Sequence, residues 1–215
     1  MISAAFTDAY ETLSPDLAWL HVRWQLYQQL FCKGERRIAL LNETAGFFFY
    51  VTQQILLSDV ILGVCRLSDP PSMGKRHNLV LKSLVKLVES ASHPKLAIEL
   101  QVILQEFKEA VQPLKTHRNR RIAHRDSDAA LRASSKPLPN ISLHQIERPL
   151  EIGQRFLKAI ERTFKDAETH YSDVILHDDA NALVATLVQG IDYEAALGEG
   201  IIPLSREVAS KYRGA

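Results

Sequence analysis

The residues best suited to chemistry stand together at positions 117–126, His-Arg-Asn-Arg-Arg-Ile-Ala-His-Arg-Asp. Arg118, Arg120, Arg121 and Arg125 are interleaved there with His117 and His124, and Lys115 lies just upstream. No other part of the chain concentrates cations in this way. A histidine with its ordinary pKa of about 6.5 exchanges a proton near neutral pH. Arginine stays charged and can stabilise negative charge that builds on phosphorus. The two types together could move a proton and hold a developing negative charge in one place.

A run of cations is more often a solvated helix end, because carbonyl dipoles at a helix C-terminus favour positive charge. Three features weigh against that reading. The run holds histidines as well as arginines. It continues an apolar stripe in place of opposing it. Asn119 follows Arg118 directly, and the run closes on Ala-His-x-Asp.

The elements that must position these residues read as helices throughout. A helix is expected from Ser14-Pro15-Asp16, with serine as cap and proline in the first turn. Leu17, Leu20, Trp24, Tyr27 and Phe31 follow at helical spacing, and Gly34 ends it. Residues 35–67 are the longest apolar segment, close to membrane-span length. The segment carries Thr52, Gln53, Gln54, Ser58 and Asp59; a central aspartate costs about 3 kcal/mol in a bilayer. A buried helix is therefore expected, apolar on more than one side, with some of its neighbours in a second subunit.

Leu67-Ser68-Asp69-Pro70-Pro71 breaks that helix. Asn78 is expected to cap a short helix through Leu79, Leu81, Leu84, Val85 and Val88. The next helix starts at Pro94 and carries Leu96, Leu100, Ile103, Phe107, Ala110 and Leu114 on one stripe, which extends to His117, Arg121 and His124. Pro113 kinks it or starts a new helix. Residues 127–141 read as a loop. Ser142 opens the next stretch, with Leu143, Ile146, Leu150, Gly153, Leu157, Ile160 and Phe164 in heptad-like repeat, and Pro149 marks a kink or a true start near Glu147. Asp178 or Asp179 caps a last clear helix ended by Gly190, and a short helix is expected after Pro203. No strand, repeat or low-complexity segment is evident.

Composition bounds the function. With 215 residues, 46% hydrophobic and 24% charged, the chain has the balance of a globular domain. Its net charge is only +1, so any nucleic-acid contact must be local. Cys32 and Cys65 form neither a disulfide framework nor a metal-ligand spacing, which makes a reducing cytoplasm the expected location. The first residues do not resemble a signal peptide. His170, His177, Asp178 and Asp179 fit no standard metal site, and no metal or other cofactor is expected. A phosphate-binding glycine loop and a GxSxG elbow are both missing from the sequence.

Arg118-Asn119-x4-His124 resembles the Arg-x(4–6)-His signature of HEPN domains, an all-helical family of RNA-cleaving toxins and antiphage effectors. The run Arg-Asn-x-Arg-x-Ala-His-x-Asp looks most like the AbiU-type abortive-infection branch. The resemblance implies an all-α antiparallel bundle over residues 1–170, with a C-terminal helical extension, 171–215, packed on it in one domain. It implies a metal-independent endoribonuclease whose site is shared across a homodimer. Arg118, Asn119 and His124 take the catalytic roles, and Lys115, His117, Arg120, Arg121 and Arg125 bind RNA. On a straight helix Arg118 and His124 diverge by about 120° at 3.6 residues per turn, and Arg120 and Arg121 lie nearer the histidine's face. Two alternatives remain open: a non-catalytic helical scaffold partnered with an antitoxin protein, and an RNA-binding regulatory module. No membrane partner is expected.

Overall fold

The computed structural model describes residues 3–73, 75–91, 93–119, 140–165 and 167–201. Helices dominate them: α1 (Ala4–Phe31), α2 (Glu35–Leu67), α3 (Leu81–Ser90), α4 (Pro94–His117), α5 (Leu143–Phe164) and α6 (Ala180–Gly198). The fold is all-α, as the helical periodicity implies. The sequence shows no strand, but between α2 and α3 the chain forms a minimal antiparallel ladder of β1 (Ser72–Met73) and β2 (Arg76–His77), with Ser72 opposite His77. Two-residue strands are too short to leave an alternation pattern.

By internal packing the chain divides into two compact units, 1–25 with 54–175 and 26–53 with 176–215. In the first unit, α1 and α5 run antiparallel: Tyr10 meets Glu161, and Phe6 meets Phe164. The α4–α5 pair is antiparallel too, tied by Arg155 to Glu106 and by Arg162 to Glu99 at 3.2 Å. Gly153 allows three helices to meet, since a Cβ there would stand 3.2 Å from Leu17 Cδ1 and 3.5 Å from Phe107 Cε2. Leu13, Leu17, Leu100, Phe107, Leu114, Phe156 and Leu157 fill the space between these helices.

A buried polar cluster fastens the segment after α5. Glu161 Oε1 accepts from Tyr10 at 2.5 Å and from Tyr171 at 2.6 Å, and Oε2 accepts from the Thr169 N–H at 2.6 Å. Burial alone raises a carboxyl pKa. Here these donors together outweigh it and hold Glu161 below its ordinary value. In the second unit, Gln29 donates to Asp179 at 2.7 Å, and Asp179 caps α6 by accepting from the Asn181 and Ala182 N–H groups.

Several element boundaries differ from expectation. α1 begins at Ala4, where Ser3 accepts from the Phe6 N–H, so Pro15 lies inside the helix. Ser14 is no cap; its hydroxyl lies 2.8 Å from the Tyr171 hydroxyl. An interior proline costs about 3 kcal/mol. Phe6, Tyr10 and Leu13 bury on the same stripe as Leu17 and Leu20, and each large side chain returns about 1.5–3 kcal/mol. Pro113 and Pro149 are interior for the same reason, and Ser142 does cap α5, with Gln145 returning a bond to its backbone. Asn78 stitches the loop by donating to the Pro70 carbonyl, and α3 starts three residues later. α6 passes through Gly190 and ends at Gly198, with Gly200 at φ +73° beyond it; an interior glycine costs only about 1 kcal/mol. The helix expected after Pro203 lies outside the described residues.

The largest departure is α2. It bends at Ala45 (φ −155°, ψ 57°). Val60, Ile61, Val64 and Cys65 are fully buried, but Phe47 is 82%, Phe48 61% and Tyr50 60% exposed. The expected buried helix is thus buried mainly at its C-terminal end. By length and composition alone α2 could cross a membrane, with mean hydropathy 1.5 over its most apolar window.

Candidate active site

The basic end of α4 is positioned by its apolar stripe. Leu100, Ile103, Leu104, Phe107, Val111 and Leu114 are buried at spacings of three and four, which orients the last turn. Lys115, His117 and Arg118 then crowd the carbonyl end of the helix, where the dipole favours cations. Arg118 keeps a helical backbone (φ −52°, ψ −52°), its N–H reaching the Leu114 and Lys115 carbonyls. A widened turn follows at Arg118 and Asn119.

The Arg118 guanidinium is held on two sides. Nη1 donates to Asp69 Oδ1 at 2.9 Å, and Nε donates to Asn119 Oδ1 at 3.0 Å. Lys115 Nζ donates to the Ser68 carbonyl at 3.0 Å. The segment just past α2 thus forms one wall of the site. Cys65, one turn before it, is a buried thiol; burial pushes its pKa up to about 11 against the opposing pull of Arg118 and Lys115. Burial thus disfavours the thiolate, the form of cysteine that acts as a nucleophile. Arg118 still has guanidinium N–H groups beyond those given to Asp69 and Asn119, since the fork carries five donors. The side chain is 20% exposed.

Of the residues singled out in the sequence, the structure brings Lys115, Arg118 and Asn119 together beside Ser68 and Asp69, and His117 is half-buried on the same turn. Arg120, Arg121, His124 and Arg125 lie outside the described residues. Asp69 was missed as a site residue. Its only signal was an acid directly before Pro70-Pro71, which reads first as a helix break. Among the described residues no group of three or more His, Cys, Asp or Glu could hold a metal ion. His170 pairs with Asp173 at 3.6 Å instead.

A family model described as HEPN AbiU2 matches residues 3–183, most of the chain and all of the 117–126 run. The chain belongs to the AbiU2 family of HEPN domains. At the family level it is thus a HEPN-type abortive-infection protein. No curated protein and no solved structure matches the chain. The match covers α1 to α5 and reaches the first turn of α6.

Proposed function

We propose that this HEPN AbiU2 protein is a metal-independent endoribonuclease, a toxin or antiphage effector of the cytoplasm, whose site is shared between two copies of the chain. The observation that carries this reading is Arg118. It is anchored by Asp69 and Asn119 at the end of a core helix, within the Arg-Asn-x4-His spacing. In this reading the 2′-hydroxyl attacks the adjacent phosphorus and gives up its proton, and the 5′-oxygen leaves with a proton. His124 serves the proton transfers, and Arg118 and Asn119 hold the phosphoryl oxygens. Lys115, His117, Arg120, Arg121 and Arg125 contact the backbone. The exposed Phe47, Phe48 and Tyr50 of α2 support dimerisation, because side chains of this size seldom cluster on the surface of a monomer.

The test is incubation of RNA with purified protein in EDTA. Cleavage to 2′,3′-cyclic phosphate ends is expected, with His124→Ala and Arg118→Ala each slower by about 10²–10⁴, and His124→Ala at nearly unchanged melting temperature. Full activity of His124→Ala overturns the assignment. If Arg121→Ala is inactive and Arg118→Ala is not, the arginine of the site is Arg121.

One observation favours a second reading, a non-catalytic scaffold partnered with an antitoxin protein. The Asp69 carboxylate offsets the Arg118 charge, as in a purely structural ion pair. A protein that neither cuts nor retains RNA supports the scaffold; one that retains RNA without cutting supports an RNA-binding regulatory module.

A further inference from the structure

Beside Arg118 lies a cleft of about 320 Å³, near the lower bound of ligand-sized pockets, about 300–1,000 Å³. Leu104, Lys108, Gln112 and Lys115 line it from one face of α4, their spacing of four, four and three keeping them in register. The Leu67–Pro71 segment forms the facing wall, and Lys82 enters from the first turn of α3. The cleft is therefore bounded by three ammonium groups. Its one carboxylate, Asp69, is already paired with Arg118. Lys115 spends one of its donors on the Ser68 carbonyl. Among the described residues, neither Lys82 nor Lys108 has a carboxylate within 4 Å.

On α5, by contrast, Arg148, Arg155, Lys158 and Arg162 each lie within 4 Å of a glutamate. At a net charge of +1 the chain has no general excess of cations to scatter. A concave surface with Lys82 and Lys108 free of carboxylate partners among the described residues, a hydrogen-bond-accepting wall already paired with Lys115 and Arg118, and polar Gln112 in its lining suits an anion. We propose that Lys82, Lys108 and Lys115 hold a phosphate of the RNA backbone flanking the one at Arg118. This rests on the ribonuclease reading for its ligand. It goes beyond that reading by adding Lys82 and Lys108, which lie outside the 117–126 run. Lysine serves here as a point charge without base recognition, so the subsite positions the strand and does not select sequence.

The experiment uses a single-stranded RNA with 2′-O-methyl riboses, which has no nucleophile and cannot be cut. Binding is followed by fluorescence anisotropy across a salt series. The wild-type chain is compared with the Lys82→Gln/Lys108→Gln double variant and with Lys95→Gln, a lysine at the opposite end of α4. For single strands the slope of log affinity against log salt is about 0.7 per neutralised phosphate, so loss of this one contact in the double variant is expected to lower it by up to about 0.7. Its affinity falls several-fold for every sequence tried. With cleavable RNA, KM rises and kcat holds. Lys95→Gln matches the wild type throughout.

An unchanged slope in the double variant, or an equal fall in Lys95→Gln, overturns the subsite and leaves the ribonuclease reading standing. Binding without cleavage by the wild type, with the slope still falling in the double variant, overturns the ribonuclease reading and supports the subsite. A wild type that binds no RNA overturns both.

Discussion

Arg118 Nη1 and Asp69 Oδ1 lie 2.9 Å apart, joining the last turn of α4 to the segment that leaves α2. Both side chains are mostly covered, at 20% and 24% exposure. The ion pair fixes where the guanidinium points, and with it the donors left for a phosphate. Asp69→Asn is expected to slow RNA cleavage by about 10- to 100-fold in kcat, because small misplacements of a catalytic group cost on that order. Asp69→Glu restores part of the rate. Single-turnover cleavage beside a thermal melt checks this. Wild-type kcat in Asp69→Asn shows that Asp69 has no positioning role.

His21 sets one part of the acid sensitivity. It is buried, and burial pushes its pKa down to about 4, against a bond to the Leu150 carbonyl and the charge of Asp173. The folded pKa lies below the ordinary value of 6.5. The unfolded chain therefore gains a proton first as pH falls. Stability is intact above about pH 6.5 and drops by about 1.4 kcal/mol per unit down to about pH 4. Urea midpoints at pH 7, 5.5 and 4.5 measure it. His21→Gln is expected to flatten that limb, and parallel curves for the two proteins reject the assignment.

Glu161 governs a more acidic window. Its folded pKa is held below its ordinary value of 4.5. Its contribution is therefore complete above that pH and is lost as pH falls through the lowered value. Glu161→Gln keeps the shape but weakens charge-assisted bonds worth about 1.5–3 kcal/mol. A drop in melting temperature of roughly 5–10 °C at pH 7 is expected for a chain of this length. A melting temperature equal to wild type shows that Glu161 does not clamp the segment after α5.

The exposed face of α2 gives the dimer test. Phe47→Asp/Phe48→Asp changes side chains that are open to solvent in one chain, so monomer stability is expected to move by no more than about 0.5 kcal/mol. Light scattering at micromolar concentration should show a dimer for the wild type and a monomer for the variant, with RNA cleavage lost alongside. A wild-type monomer that cleaves RNA removes the shared site.

The helical class was legible because apolar residues recur at three and four along every long segment. The α4 stripe from Leu96 to Leu114 is buried where periodicity puts it except that Val111 is buried in place of Ala110, and the α5 stripe from Ile146 to Ile160 is buried throughout. The cation cluster and its Arg-Asn-x4-His spacing needed no coordinates, and they pointed to the HEPN family that the comparison then showed. Local rules failed where tertiary burial outweighed them. Pro15, Pro113 and Pro149 each signal a helix boundary, yet each sits inside a helix held by packing of its apolar face. The partner of Arg118 is 49 residues away in sequence, and Lys82 and Lys108 meet Lys115 only because α3, α4 and the end of α2 converge. Spacing along one helix reports which residues share its face. Which charges face each other across separate helices depends on packing, and that was decided only in the folded chain.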